Sequence, residues 1–386
     1  MASTPMQPVA LEDGPVAIVG ALDFDRSPTG ISPRRLPDWT RPQIPDLFMN
    51  TMVAMTSGVR LAFTSDADSI ELDLMATTFR YTTTAARPPV CGLVVDGAPA
   101  KDAVVESANY FVLDPLDPNN IGFEPGSPFT VRFTGLAPGR KACEIWLPQT
   151  ASVELQALRV DGKAAVHATP PDGRRRWLHY GSSISHCMEA AGPTSTWPAV
   201  AARLAGVDLF SLGLAGECML DHFVARTIRD QPADAISLKL GINIVNGDTM
   251  RERTFMPAVH GLLDTIRDGH PMTPILVVSP IFCPSVEDHP GPTTLMADGT
   301  FGTTSANDDP REGALTLRRI REILSGIVAA RRDAGDLQLD YLDGLDLFGA
   351  ADVDDLPDLL HPNDDGYRRM GERFAALAFG PGGHLQ

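Results

Sequence analysis

The hydrophobic pattern of this 386-residue chain changes period part-way along, and that change limits its fold more than any other feature. From about residue 50 to 165, apolar side chains recur at every second position. Ile70, Leu72 and Leu74 alternate with Glu71 and Asp73. Val131 and Phe133 alternate with Arg132 and Thr134, and Val153, Leu155 and Ala157 with Glu154 and Gln156. Period two places one set of side chains in a core and the other in water, as in half-buried antiparallel strands. Asp96-Gly97, Pro125-Gly126, Pro138-Gly139 and Asp161-Gly162 separate the runs as turns. No 3.6-residue apolar repeat of helix length interrupts them. The pattern predicts a β-sandwich of jelly-roll type. Residues 1 to about 45 are rich in Pro and polar residues and read as an extended arm, with one strand at 16–19.

From Trp177 onward short apolar runs alternate with amphipathic stretches. Strands are expected at 177–180, 208–214, 235–241, 274–280 and 337–341. Helices are expected at 196–204, 220–229, 250–267, 311–332 and 363–377. Such alternation implies a parallel sheet covered on both faces, and five strands fit a flavodoxin-like doubly wound sheet of three layers. The Pro-, Gly- and Arg-containing stretch 168–176 is the hinge. We place the boundary near 170, giving a β-domain at 1–170 and an α/β domain at 171–386. Residues 283–310 lack periodicity and are rich in Pro, Gly, Thr and Asp; a loop of that length is a lid or a mobile insertion.

Composition narrows the partners. With 32 basic and 49 acidic residues the formal charge is −17, which repels nucleic acid and anionic lipid. No apolar run approaches the roughly 18 residues that cross a bilayer. Met1 to Pro15 has neither a basic nor an apolar leader segment, so the expected location is the cytoplasm. The five cysteines, Cys91, Cys143, Cys187, Cys218 and Cys283, are odd in number, widely spaced and without a CxxC pair. That favours free buried thiols over disulfides or a structural zinc site. No cofactor is expected. Cys187 and Cys218 flank the segments discussed next, but each sits beside a better-placed candidate nucleophile. A second copy of the chain stays open as a partner.

Four short segments fall just past strand ends or before the last helix: Gly181-Ser182-Ser183-Ile184, Leu214-Ala215-Gly216-Glu217, Leu240-Gly241-Ile242-Asn243 and Asp358-Leu359-Leu360-His361-Pro362. Ligands of open α/β sheets bind at such strand ends. A serine hydroxyl is a weak nucleophile until a base removes its proton. His361 is the candidate base, and Asp358, three residues earlier, can reach Nδ1 and fix the tautomer. Acyl transfer also needs donors where negative charge grows on the carbonyl oxygen. The backbone N–H groups of Ser183 and Gly216 and the amide of Asn243 are candidates. Ser182, His186 and Glu217 are candidates for substrate contact. His179, inside a strand, reads as a core histidine, and Trp197 as packing at a helix start. Each segment alone has an ordinary reading: a cap, a turn glycine, an Asx turn.

Taken together and in this order, Ser183, Gly216, Asn243 and Asp358-x-x-His361 resemble the four blocks of the SGNH (GDSL-type) hydrolase superfamily over 177 to about 380. The resemblance implies a flavodoxin-like fold with a Ser183–His361–Asp358 triad. It also implies an oxyanion hole from Ser183, Gly216 and Asn243, esterase or deacylase activity, and no metal. The family's Gly-Asp-Ser reads Gly181-Ser182-Ser183; Ser183 occupies the third position and precedes Ile184. Where the family often carries small residues after its nucleophile, Ser185-His186-Cys187 stands. The β-half is similar to the accessory jelly roll of some carbohydrate acetylesterases. The expected activity is therefore hydrolysis of short acyl esters, acetyl above all, of a sugar or other hydroxylated small molecule. The alternatives are a lipase-like or thioesterase enzyme for longer chains, and a non-catalytic carbohydrate binder.

Overall fold

A computed structural model describes residues 5–386 except 84, 115, 116, 297 and 304–311. Contacts divide the chain into two units, Met1–Gly173 with Ala191–Thr194, and Arg174–Ala190 with Ser195–Gln386.

The first unit is β-rich. An eight-stranded sheet and a six-stranded sheet share one apolar core, and nearly all strand pairs are antiparallel. The long strand Ser69–Tyr81 shows how the period acts. Ile70, Leu72, Leu74 and Ala76 enter the core while their neighbours stay partly exposed. Along Ser152–Asp161 the alternation breaks. A register shift between Leu155 and Ala157 switches the buried set from Val153 and Leu155 to Leu158 and Val160, leaving Ala157 outside it. A bulge adds one residue and so reverses the parity that period two assumes.

Two expectations for this unit need correction. Residues 6–34 are no arm: the expected strand forms at Ala17–Val19, pairing with Arg60–Ser65, but Met6–Val9 also pairs with Ser152–Asp161 and Asp23–Arg26 with Ile31–Arg34. The unexpected strands are four residues long, and two contain proline, so they carry too few alternations to read. The helix Leu47–Ala54 was also unforeseen. Asp46 caps it by accepting from the N–H of Met49 at 2.8 Å, and its sequence is apolar on most sides, which hides the helical period.

The second unit is the three-layer α/β fold expected. Five parallel strands lie in the order Asp208–Gly213, Arg176–Gly181, Ala235–Lys239, Ile275–Val278, Leu339–Leu342. The chain thus starts near the sheet's middle and reverses direction there, at the point where such sheets open a ligand crevice. Helices Trp197–Ala205, His222–Asp230, Glu252–Gly269, Leu317–Asp333 and Asp364–Phe374 supply the outer layers. The aperiodic stretch after 283 is partly ordered: Thr293–Leu295 and Phe301–Thr303 form a small hairpin. Its portion 304–310 lies outside the described residues. Among the described residues no helix is long and apolar enough to cross a membrane.

Candidate active site

The site begins with the burial of Arg176–Gly181. Trp177 is fully buried; its ring stacks on Phe374 at 5.0 Å and meets Phe379 edge-on at 5.3 Å. Such pairs add about 0.5–1.5 kcal/mol each beyond area burial. They anchor the strand and therefore the place where the backbone leaves it at Gly181.

The next residues turn into the short helix Ser183–His186. Ser182 is buried and caps it, its Oγ accepting from the N–H of Ile184 at 3.3 Å. That bond occupies Ser182 in the turn, whereas the half-buried Ser183 is the first helical residue and projects its hydroxyl outward to a partner. Two glycines let the helix sit this close to the sheet. A Cβ on Gly213 would lie 2.5 Å from the backbone of Ser185 and His186, and one on Gly181 would lie 2.2 Å from Ser185 Oγ.

His361 approaches from the far end of the chain. Its Nδ1 lies 2.7 Å from Asp358 Oδ2 and its Nε2 lies 2.9 Å from Ser183 Oγ. In the neutral ring Nδ1–H donates to the carboxylate, which leaves Nε2 free to accept from the serine hydroxyl. Asp358 Oδ1 also accepts from the N–H groups of Leu360 and His361, at 2.9 and 2.6 Å. These bonds curl the Asp-x-x-His segment into a tight turn with Leu359 at φ +63°. A leucine in the left-handed region costs roughly 1–3 kcal/mol, so the surroundings must hold it there. The thiol of Cys283 donates to its carbonyl at 3.2 Å, and the N–H of Phe301 donates to the carbonyl of Asp358 at 2.8 Å.

The charge balance around this ring is unusual. Burial by itself lowers a histidine pKa, yet the carboxylates of Glu189 and Asp358 outweigh it and raise His361 to about 9. Burial works against the Asp358 carboxylate too, but its bonds to His361 hold it below the ordinary range.

Gly216 and Asn243 lie past the ends of the two strands that flank Arg176–Gly181. The N–H of Leu214 donates to the carbonyl of Gly181 at 2.8 Å, tying the glycine loop to the nucleophile strand. Gly216 takes φ +74°. The buried Asn243 accepts from the N–H of Cys218 with Oδ1 at 3.0 Å, which fixes the amide's carbonyl end and turns its NH2 end elsewhere. The N–H of Ser183 belongs to a first helical turn, where donors have no intrahelical partner. Three donors of the right kind are thus carried on adjacent loops at one sheet edge.

Other candidates take different places. His186 is fully buried and offers no exposed edge to a substrate, unlike the role its position beside Ser183 suggested. Glu217 is half-buried, its N–H bonded to the carbonyl of Leu214 at 3.1 Å. Ser185 turns inward and meets His179 Nε2 at 2.8 Å, while His179 Nδ1 meets Ser237 Oγ at 2.7 Å. Cys187 and Cys218 are fully buried, and burial pushes both thiols up, Cys218 to about 12. Neither carries thiolate at neutral pH. All five cysteines are free and buried.

Three residues at or behind His361 lie in none of the four segments. Phe301, from the small hairpin, meets the imidazole edge-on at 5.5 Å. Glu189 Oε1 lies 3.8 Å from Nδ1, and Tyr367 donates its hydroxyl to Glu189 Oε2 at 2.9 Å. A carboxylate six residues beyond a candidate nucleophile is a faint hint, but no spacing joins it to residue 361. Among the described residues, no group of three or more His, Cys, Asp or Glu side chains is placed to hold a metal ion.

Residues 179–369 match the GDSL-like lipase/acylhydrolase family. This stretch is a GDSL-like lipase/acylhydrolase domain. It makes the chain a serine hydrolase acting on ester bonds, an esterase or acyl hydrolase in the broad sense. Among solved structures, the salicylyl-acyltransferase SsfX3 from a tetracycline biosynthetic pathway is 26% identical, with a TM-score of 0.78 over 95% of both chains. A family two carbohydrate esterase from Clostridium thermocellum, in complex with cellohexaose, is 14% identical with a TM-score of 0.57, over 93% of this chain and 97% of that one. An acetyl xylan esterase, Est2A, from the rumen bacterium Butyrivibrio proteoclasticus is 11% identical with a TM-score of 0.53, over 96% and 97%. The last two likenesses establish the two-part fold around the GDSL-like domain. No curated protein matches the chain.

Proposed function

We propose that the GDSL-like domain hydrolyses short acyl esters, acetyl above all, of a sugar or other hydroxylated small molecule, through an acyl-enzyme on Ser183. The observation that carries this reading is the hydrogen-bonded line from Ser183 Oγ through His361 to Asp358, at 2.9 and 2.7 Å. In the first half-reaction neutral His361, the form that prevails above its pKa of about 9, takes the Ser183 proton at Nε2 as Oγ attacks the ester carbonyl. The tetrahedral oxyanion is met by the N–H groups of Ser183 and Gly216 and the amide of Asn243. His361 then returns the proton to the leaving alcohol. In the second half-reaction a water loses its proton to His361, attacks the acyl carbon, and the acid departs with Ser183 restored. The Asp358 carboxylate offsets the imidazolium charge in both halves.

The test is Ser183→Ala: hydrolysis of nitrophenyl acetate is abolished while circular dichroism stays that of the wild type. Turnover at the wild-type rate would overturn the assignment. A fluorophosphonate label mapping to Ser182 would move the nucleophile by one residue, and no labelling of the full-length protein would favour a carbohydrate binder. Activity falling steeply beyond propionyl separates this reading from a lipase or thioesterase.

A second reading is transfer of the acyl group from Ser183 to an acceptor alcohol in place of water. It is favoured by the 26% identity to SsfX3 over 95% of both chains. A panel of alcohols added to the acyl-enzyme, with products weighed by mass spectrometry, separates the two: new esters support transfer, and free acid alone supports hydrolysis.

A further inference from the structure

The side of His361 that faces away from Ser183 is flanked by two carboxylates, where a triad needs one. Asp358 reaches Nδ1 from its own turn at 2.7 Å. Glu189 reaches the same nitrogen from the segment behind the nucleophile helix, with Oε1 at 3.8 Å. The local structure explains how it gets there. Cys187 ends the helix Ser183–His186 in the left-handed region, at φ +60°, and its thiol donates to the carbonyl of Ile184 at 3.1 Å. That sharp turn redirects the chain after only four helical residues, and Glu189 follows two positions later. Tyr367, fully buried on the last helix, then holds the far carboxylate oxygen at 2.9 Å. Glu189 is thus anchored at one oxygen and presented to the imidazole at the other.

We propose that Glu189 is a positioning residue for His361: a second carboxylate, held by Tyr367, that shares with Asp358 the work of orienting the ring and offsetting the positive charge it acquires. At 3.8 Å it acts mainly through charge, so it complements the hydrogen bond of Asp358. The titratable and polar groups that meet the ring are Asp358 on its own turn, Glu189 behind the nucleophile helix and Ser183 on the nucleophile helix; Tyr367 on the last helix and Cys283 on the segment following Ile275–Val278 stand behind them. Tyr367 is committed to Glu189 and Cys283 to the carbonyl of Leu359. The charge of Glu189, and both the charge and the hydrogen bond of Asp358, raise the ring's pKa. The inference depends on the Ser183 reading for its catalytic meaning, but the state of the ring can be read without it.

The experiment pairs NMR titration of the His361 imidazole with the pH profile of kcat/KM, in wild type, Glu189→Gln, Asp358→Asn and the double variant. Glu189→Gln keeps the shape and removes the charge. It is expected to move both the imidazole titration and the acid limb of kcat/KM to lower pH by about one unit or more. Combined with Asp358→Asn, it costs roughly tenfold more activity than in the wild-type background, because one carboxylate partly covers for the other. Tyr367→Phe frees the anchor and shifts the same limb less; it carries the test if Glu189→Gln fails to fold. A purely structural Glu189 would lower the melting temperature and leave the titration and the limb where they were, and that result overturns the proposal. If Ser183→Ala still hydrolyses ester, the catalytic reading fails instead, while the NMR titration still reports on Glu189.

Discussion

Two histidines of the GDSL-like domain are built from the same parts and end up with opposite properties. His179 and His361 are both buried, and each has a ring nitrogen within 2.9 Å of a serine hydroxyl, Ser185 for the first and Ser183 for the second. They differ at the other nitrogen. His179 meets the hydroxyl of Ser237, which also accepts from Trp177 Nε1 at 2.8 Å, and burial together with the charge of Lys239 drives its pKa down to about 3. His361 meets a carboxylate, with a second behind it, and is raised to about 9. A serine beside a histidine is therefore not yet a nucleophile with its base. The ring also needs an anion that makes taking a proton favourable, and a serine facing a crevice. His179 lacks both. It stays neutral and pins the nucleophile helix, through Ser185, to the central strands.

That contrast can be broken in measurable ways. The largest effect is on the acid side. An unfolded histidine takes a proton near pH 6.5 but His179 in the fold does not until about 3, so stability falls as pH drops through that window, by as much as ~5 kcal/mol at its foot. Urea unfolding between pH 6.5 and 4 should show the loss, and His179→Gln should flatten it.

Next comes Asp358→Asn, which gives His361 an uncharged neighbour like that of His179. An amide can donate to Nδ1 and leave Nε2 protonated toward Ser183, so kcat should fall by about 10²–10⁴-fold with little change in KM. Steady-state kinetics on nitrophenyl acetate read this directly.

The alkaline side is smaller and opposite in sign. His361 has its folded pKa above the unfolded value, so its stabilisation is complete below pH 6.5 and is lost as pH rises through about 9, some ~3 kcal/mol in all. Denaturation midpoints measured between pH 6.5 and 9.5 should decline in wild type more than in Asp358→Asn. The smallest effect is Ser185→Ala, which leaves His179 without one partner. It should cost about 1–3 kcal/mol of stability and leave the pH limb of kcat/KM in place. A shifted limb would mean that the two histidines are coupled.

Much of the site was legible because its residues sit at punctuation in the chain. A strand that stops at Gly181 before two serines, a glycine at 216, an asparagine at 243 and an Asp-x-x-His before a helix each mark a strand end, and strand ends are where such folds work. Which serine faces the base was legible only through the resemblance, which favours Ser183 by its position. Ser182 and Ser183 are adjacent and chemically alike; in the fold Ser182 Oγ takes the cap bond from Ile184 while Ser183 Oγ meets His361 Nε2. The departure at Ser185-His186-Cys187 was equally opaque: Ser185 serves His179, His186 is buried, and Cys187 supplies the turn. In the β-unit, the early strands other than Ala17–Val19 were too short to show a period, and the bulge near Gln156 undid one that was visible.

The sequence by itself determined the two fold classes, because burial period follows from backbone geometry and needs no knowledge of partners. It also marked the four segments around which the hydrolase chemistry gathers. Only the tertiary structure decided what surrounds His361. Glu189, Tyr367 and Phe301 come from three separate elements, and a carboxylate's effect on an imidazole depends on distance through space, which spacing along the chain does not encode.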